Sequence, residues 1–263
     1  MKKIFLRVLV IVLILLVGLI VKVLGIYEES TSYLFFSYDG FEIEGSTIIK
    51  YNKEGGNVVI PSVVDGVVIT EIGDNAFNGL NIDSVIIPDT VVKIGDYAFA
   101  NNNIRALKIP DSVEVIGEGA FIHNVIEDVV IDDDVWLGSA CFNDNKLDSS
   151  GAFFYNDGEL ISYGGEVKGN VEVPDVVSVI GEKAFFESYI VSISISDSVE
   201  VIEDEAFKGN YLVELYLPSN IKEIGEDAFD DNLYLSDIVI DNVTNSVLNY
   251  PWGADDSNLY WTK

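Results

Sequence analysis

Phenylalanine recurs along this chain at an almost constant interval. Phe77, Phe99, Phe121, Phe142, Phe185, Phe207 and Phe229 are separated by steps of 22, 22, 21, 43, 22 and 22 residues, the long step covering two units with an atypical one between. Ala76, Ala98, Ala120, Ala184, Ala206 and Ala228 stand directly before their phenylalanines, and Cys141 takes that place in the fourth unit. Four residues before the phenylalanine comes Gly73, Gly95, Gly117, Gly138, Gly181 or Gly225, with Glu203 the exception. A unit this short cannot bury its own apolar side chains, so the chain must stack its units into a solenoid.

Each unit also carries an L-x-x-L-x-L pattern, as in Ile82, Val85, Ile87 or Leu212, Leu215, Leu217. Its closing alternation predicts a short strand with one face inward. Pro88, Pro110 and Pro218 follow directly and close the strand, because proline cannot donate to a neighbouring ladder. A second alternation, Val113, Val115, Ile116 in one unit, leads to the glycine and then to the alanine–phenylalanine pair. That E/D-x-A-F segment predicts a single helical or 3₁₀ turn that buries its ring. Three residues after the phenylalanine stands Asn102, Asn124, Asn145, Asn210 or Asn232, with Leu80 and Ser188 departing. A buried asparagine there would bond backbone groups of the turns on either side, a structural ladder and not a ligand site.

Joined, P-x-x-V-x-x-I-G-x-x-A-F (Pro110 through Phe121) and L-x-x-L-x-L resemble the BspA-type bacterial leucine-rich repeats. The resemblance covers residues 35 to 263. This chain has asparagine where the family usually has a cysteine after the A-F pair, and its step is one residue shorter. Phe36 to Pro61 is similar to the family's lead-in hairpin, and Phe154 to Pro174 repeats that pattern inside the array. Pro251-Trp252-Gly253-Ala254 with Trp261 is similar to its C-terminal cap, the two tryptophans covering the last open turn. The implied fold is a leucine-rich-repeat solenoid, mainly β with short helical or 3₁₀ turns, in a single curved right-handed array after one N-terminal transmembrane or signal helix. The implied organisation is a signal-anchor at 1–26, a lead-in at 27–60, repeats at 61–240 with an internal lead-in at 148–173, and a cap at 241–263. The implied role is cell-surface presentation, adhesion or host-factor binding; fold analogy supplies no partner.

The N-terminus reads as an export segment. Lys2, Lys3 and Arg7 precede an apolar run from Val8 to Val21. If Lys22 snorkels, residues 4–26 form roughly 34 Å of helix at about 1.5 Å per residue, enough to cross a bilayer. Basic residues before the run and Glu28 and Glu29 after it predict an N-terminus inside and repeats outside. Cleavage after Gly25, which would release a secreted form, is the alternative. With the four basic residues of that segment set aside, 11 basic residues face 44 acidic ones, a net −33 over residues 27–263. No basic patch could hold phosphates against that charge, which excludes nucleic acid as a partner.

A search for chemistry returns repeat positions. His123, the one histidine, falls two residues after Phe121, a variable place expected to be an exposed loop, and it has no cysteine partners for zinc. Cys141, the one cysteine, falls at the small buried place and reads as an inert packed thiol; alone, it forms no intrachain disulfide. Asp132-Asp133-Asp134, Asp230-Asp231 and Asp255-Asp256 lack the spacing of a calcium loop and read as solvated turns, weak calcium binding being the alternative. No catalytic, cofactor or metal residues are assigned, and the chain reads as no enzyme. Binding remains. The central residue of L-x-L points outward on the strand face, which selects Ile86, Lys108, Val130, Ser194, Tyr216 and Val239. Ser84, Ala106, Asp128, Ser192, Glu214 and Asp237 form the next outward row. Apolar residues in a row that should face water suggest a contact surface for a protein or glycan at the cell surface. The competing expectation is a structural envelope or spacer protein with no discrete ligand.

Overall fold

Two strand ladders and a turn build each coil. The computed structural model describes residues 40–148, 152–165, 170–240, 252–254 and 257–261. The N-terminal export segment, Asp255-Asp256 and most of the residues before Trp252 in the cap lie outside the described residues, and so do any helix and cleavage site expected at 1–26. The first ladder stacks two-residue strands in parallel, Glu71–Ile72, Lys93–Ile94, Val115–Ile116 and Trp136–Leu137, with the isoleucine or leucine of each inward. The second is made by the L-x-L segments, where Ala106–Lys108 pairs with Asp128–Val130 and Glu214–Leu217 with Asp237–Ile240. About eight turns stack in this way into a leucine-rich-repeat β-solenoid, and residues Ser37–Lys263 form one compact unit.

The A-F segment differs from expectation: none of the described residues is helical. Two positions in every arc explain this. The residue two before the phenylalanine has a positive φ, at Asn75, Tyr97, Lys183, Glu205 and Asp227 among others. The residue two after it does so too, at Asn101, His123, Asp144, Glu187 and Asp231. Left-handed residues break the run of right-handed φ that a helix or 3₁₀ turn needs. The backbone instead bonds to the next coil. Asn75, Phe77 and Gly79 donate their N–H groups to the carbonyls of Asp96, Ala98 and Ala100 at 2.9, 2.8 and 3.0 Å. The arc is thus a third ladder between coils, closed locally by turn bonds such as Ala76 N–H to the Gly73 carbonyl, 3.2 Å.

The phenylalanines stack through the core. Phe77, Phe99, Phe121 and Phe142 lie with ring centroids 4.8, 5.2 and 5.5 Å apart, close to the repeat between hydrogen-bonded strands. Full burial of each such ring contributes about 1.5–3 kcal/mol. Asn102, Asn124, Asn145 and Asn210 are buried as expected, and Asn232 is half-buried. Asn124 donates from Nδ2 to the Phe99 carbonyl (2.9 Å) and the Phe121 carbonyl (3.1 Å), and its Oδ1 accepts the Ile104 N–H (3.1 Å). Asn102, Asn145, Asn210 and Asn232 repeat this pattern, each tying its own turn to the one before. The departures, Leu80 and Ser188, have one cause. Each belongs to the first full unit after a lead-in hairpin, whose strands present no preceding arc for the amide to bridge.

The two hairpins are alike. Phe41–Glu44 pairs antiparallel with Thr47–Tyr51, and Phe153–Asn156 with Glu159–Tyr163, each pair with a register shift after its second residue. Tyr51 leads the stack into Phe77 at 5.3 Å, as Tyr163 leads it into Phe185 at 5.3 Å, while Phe154 receives it from Phe142 at 4.3 Å. Glycine is needed where the coils crowd. A Cβ on Gly95 would lie 2.8 Å from the Asp74 nitrogen and 2.9 Å from the Gly73 carbonyl carbon. At the far end Trp252 is buried and its carbonyl accepts the Phe229 N–H at 3.0 Å, the bond that Ala228 provides to Phe207. Trp252 therefore sits against the last arc; the side chain of Trp261, the other tryptophan of the expected cap, lies outside the described residues.

Removing the Asn124 amide strands the Ile104 N–H in the core and takes one of two asparagine donors from each of the Phe99 and Phe121 carbonyls. Asn124→Ala is expected to destabilise the protein by about 1–3 kcal/mol, the cost of the one orphaned buried group. Asn124→Asp, which keeps the acceptor and loses the donor, should also destabilise it. Urea unfolding of the variants against the parent chain measures both.

Candidate binding surface

Strand geometry places the expected face in solvent. Ile86, Lys108, Val130, Ser194 and Tyr216 are exposed and Val239 is half-buried, while their neighbours Val85, Leu107, Ile193, Leu215 and Ile238 are buried. The apolar members are far from marginal, with Ile86 60%, Val130 54% and Tyr216 61% exposed. The row is not continuous. Lys108 faces Val130 across one pair of strands and Tyr216 faces Val239 across another. Among the described residues no pairing joins Asp128–Val130 to Asn170–Glu172, because the internal hairpin intervenes. Among the described residues pairing is also absent between Ile82–Ile86 and Ala106–Lys108 and between Ser192–Ser194 and Glu214–Leu217, so the outward row lies on four short ladders, two on either side of the hairpin.

On the arc side the same hairpin brings distant units together. His123 is not in an exposed loop, as the variability of its place suggested. It is half-buried, with Nδ1 2.9 Å from Asp144 Oδ2 and Nε2 3.0 Å from Glu187 Oε2. All three residues hold the same repeat position, and the hairpin has no arc of its own to separate the last two. Carboxylates only accept, so both ring nitrogens donate and the imidazole is protonated. Its pKa is raised, first by the Asp144 hydrogen bond, with burial opposing and Glu187 adding. Lys183 crosses the same junction to Glu118, 2.9 Å, and the Tyr97 hydroxyl donates to Glu118 at 2.7 Å. Burial alone would raise the Glu118 carboxyl, but Tyr97 and Lys183 bring it below its usual range. Tyr97 and Phe186 pack there on a small core of Ala100, Ile122 and Ala140. Asn143, fully buried, donates to the carbonyls of Lys183 (3.0 Å) and Phe186 (2.9 Å) and accepts from the Ser162 hydroxyl (2.6 Å). These contacts form a seam between the two half-arrays.

Other flagged residues serve the stack. Cys141 is fully buried, and burial pushes its thiol up to about 12, so it is un-ionised and inert. A carboxylate ladder that the sequence reading missed runs three residues before the phenylalanines. Asp74 Oδ1 accepts the Asp96 N–H and Asp96 Oδ1 the Glu118 N–H, both at 2.9 Å. Glu203, the residue at a glycine place, serves the same end by accepting the Glu182 N–H at 3.0 Å. It lines a shallow cleft of about 320 Å³ with Glu182, Asp204 and Glu223. Among the described residues no three His, Cys, Asp or Glu side chains are grouped to hold a metal ion.

Parallel two-residue strands, L-x-L strands, stacked phenylalanines and an asparagine ladder define a bacterial-type leucine-rich-repeat solenoid. The model for the BspA type leucine rich repeat region matches residues 67–152 and 166–252 in six copies, and the chain belongs to that family. A leucine-rich repeat protein from Eubacterium ventriosum ATCC 27560 has the same fold, with 20% identity and a TM-score of 0.58 over 77% of this chain and 59% of that one. A leucine rich cell surface protein from Faecalibacterium prausnitzii A2-165 shares 28% identity over 78% of this chain and 53% of its own, with a TM-score of 0.44. A leucine-rich repeat protein from Bacteroides ovatus ATCC 8483 shares 21% over 83% and 66%, with a TM-score of 0.49. This chain thus spans between half and two thirds of their lengths. No curated protein matches it.

The seam should respond to pH with a defined sign. A raised histidine pKa stabilises the fold fully below the ordinary imidazole value of 6.5, and that contribution is lost as pH rises through the folded value. The stability gap between the parent and His123→Gln is therefore expected to be larger at about pH 6 than at about pH 9, read by urea unfolding.

Proposed function

We propose that the chain is a non-enzymatic recognition protein displayed outside a bacterial cell, which binds a protein or glycan through its strand face. The observation that carries this reading is the exposure of Ile86, Val130 and Tyr216 on short strands whose alternate residues turn inward, Val85 and Leu215 buried and Val129 half-buried. Exposed apolar side chains held in register on a stiff scaffold give contact area at little ordering cost. Support for export comes from the basic and then apolar N-terminal sequence, which would anchor the chain through residues 4–26 with the repeats outside. Membership of the BspA-type family agrees with surface display. His123, Cys141 and the asparagines are absorbed by the stack. The spacer reading predicts no saturable binding to host cells, matrix proteins or glycans.

The double substitution Tyr216→Ala with Val130→Ser is expected to weaken binding of a partner found in such a screen by about tenfold or more, the loss typical of one or two anchoring side chains. Both side chains point outward, so thermal unfolding should change little. Undiminished binding by the double variant would rule out the strand face.

A further inference from the structure

We propose that the last three coils form a docking strip for a basic polypeptide segment that carries aliphatic side chains among its lysines or arginines. The proposal rests on the recognition reading above and gives the partner its chemistry. It begins from an asymmetry between equivalent places in the two half-arrays. Four residues after the phenylalanine stand Asn81, Asn103, Val125 and Lys146 in the early coils, but the aromatic Tyr189 and Tyr211 in the late ones, followed by Leu233 and Tyr234. Two residues further on, Asp83, Arg105 and Glu127 give way to Val191 and Val213. Arg105 and Glu127 satisfy one another at 3.1 Å, so the early coils present a closed ionic edge. The late coils present an apolar edge in water, with Leu233 85% exposed.

On the strand face of these coils a second apolar lane runs parallel to the first. Tyr216, Val239 and Tyr260 are neighbours across successive parallel strands. Between the two lanes lie Glu214 and Asp237, directly opposite one another in the same register. Like charges facing each other across a ladder are destabilising unless something neutralises them. Among the described residues nothing does. Lys208 is engaged by Asp230 at 3.0 Å, Lys222 by Glu200 at 2.6 Å and Lys183 by Glu118 at 2.9 Å. Among the described residues the side chains that reach the two carboxylates are neutral, the Tyr216 hydroxyl at Glu214 and Ser236 and Asn258 at Asp237. A pair of unneutralised carboxylates between two apolar lanes is complementary to cationic groups flanked by aliphatic ones, and the chain's net negative charge would steer such a partner inward.

A sugar fits the strip less well. Tyr189 and Tyr211 lean on each other with centroids 5.6 Å apart, and Tyr234 meets Tyr211 edge-on at 6.1 Å. Ring faces engaged by other rings offer no flat platform for a pyranose, whereas their edges and the valines between them suit aliphatic side chains.

The test uses the full chain in nanodiscs of neutral phosphatidylcholine and a fluorescent peptide of lysine and valine, read by anisotropy. Saturable binding that weakens as salt rises is expected, with none to the matching glutamate and valine peptide. Glu214→Gln with Asp237→Asn should weaken it by about tenfold or more while raising the unfolding transition slightly, and Tyr211→Ser with Val213→Ser should weaken it as much while leaving that transition in place. Equal binding of both peptides, or binding indifferent to the carboxylate pair, overturns the proposal. If the lysine peptide fails while another partner's binding is lost on Tyr216→Ala, the recognition reading stands and this one falls. Salt-insensitive binding of a neutral oligosaccharide that is lost on Tyr211→Ser, without peptide binding, would make the strip a glycan site and overturn the basic-peptide assignment.

Discussion

The contact on which the stack depends is the buried asparagine amide. Each arc turns its phenylalanine carbonyl inward, where water cannot reach it and where its donors are asparagine amides. One Nδ2 group satisfies two such carbonyls, its own coil's and the preceding coil's, as at Asn210 with Phe207 (2.8 Å) and Phe185 (2.7 Å). The same side chain accepts an N–H from the segment entering the preceding strand, the Ile190 N–H at 2.9 Å. Arc, core and strand are thereby set at a common rise, and only at that rise do the rings of Phe185 and Phe207 lie 4.9 Å apart. Because each bond reaches one coil and no further, stability in this chain is a chain of nearest-neighbour terms.

What the sequence disclosed follows from that locality. The strands, the buried rings, the asparagine ladder and the inert Cys141 all depend on contacts that recur every 22 residues, so spacing alone exposes them. The arc was harder to read. Its left-handed positions are filled by Tyr97, Lys183 and Glu205 as well as by Gly119, so no glycine signature marks them, and an E/D-x-A-F string looks helical in isolation. The bonds to the next coil decide the conformation, and those are not a property of the segment. His123 was misplaced for a related reason. Its partner Glu187 is 64 residues away and reaches it only because the hairpin between them contributes strands and a ring but no arc. That geometry comes from an interruption of the repeat, which periodicity treats as a gap.

The interruption also organises the surface. A solenoid without it would present one outward row from Ile86 to Val239. With it, the row divides, and the seam of His123, Asp144, Glu187, Glu118 and Lys183 holds the halves at a fixed relation on the arc side. The hairpin restarts the ring stack through Tyr163 as the first hairpin starts it through Tyr51, so the second half-array has a beginning of its own. Two halves with separate beginnings are free to carry different outward residues. The early coils carry an ionic edge around Arg105 and Glu127, and the late coils carry tyrosines and valines.

Division of labour between positions makes such divergence inexpensive in stability. The inward residues of each L-x-L are buried and meet the rings, whereas the central residue makes few contacts with the core and its replacement leaves the coil spacing untouched. Outward positions can therefore drift toward any surface chemistry while the stack persists. Against that freedom, a cost that persists is informative. Among the described residues Glu214 and Asp237 face each other across a ladder with no cation beside them, while Lys183, Lys208 and Lys222 are engaged elsewhere. Nothing in the stack requires acidic residues at those two places, since the equivalent places in earlier coils are filled by Ser84 and Ala106. Repulsion that the fold neither needs nor relieves is most simply accounted for by something outside the fold that relieves it.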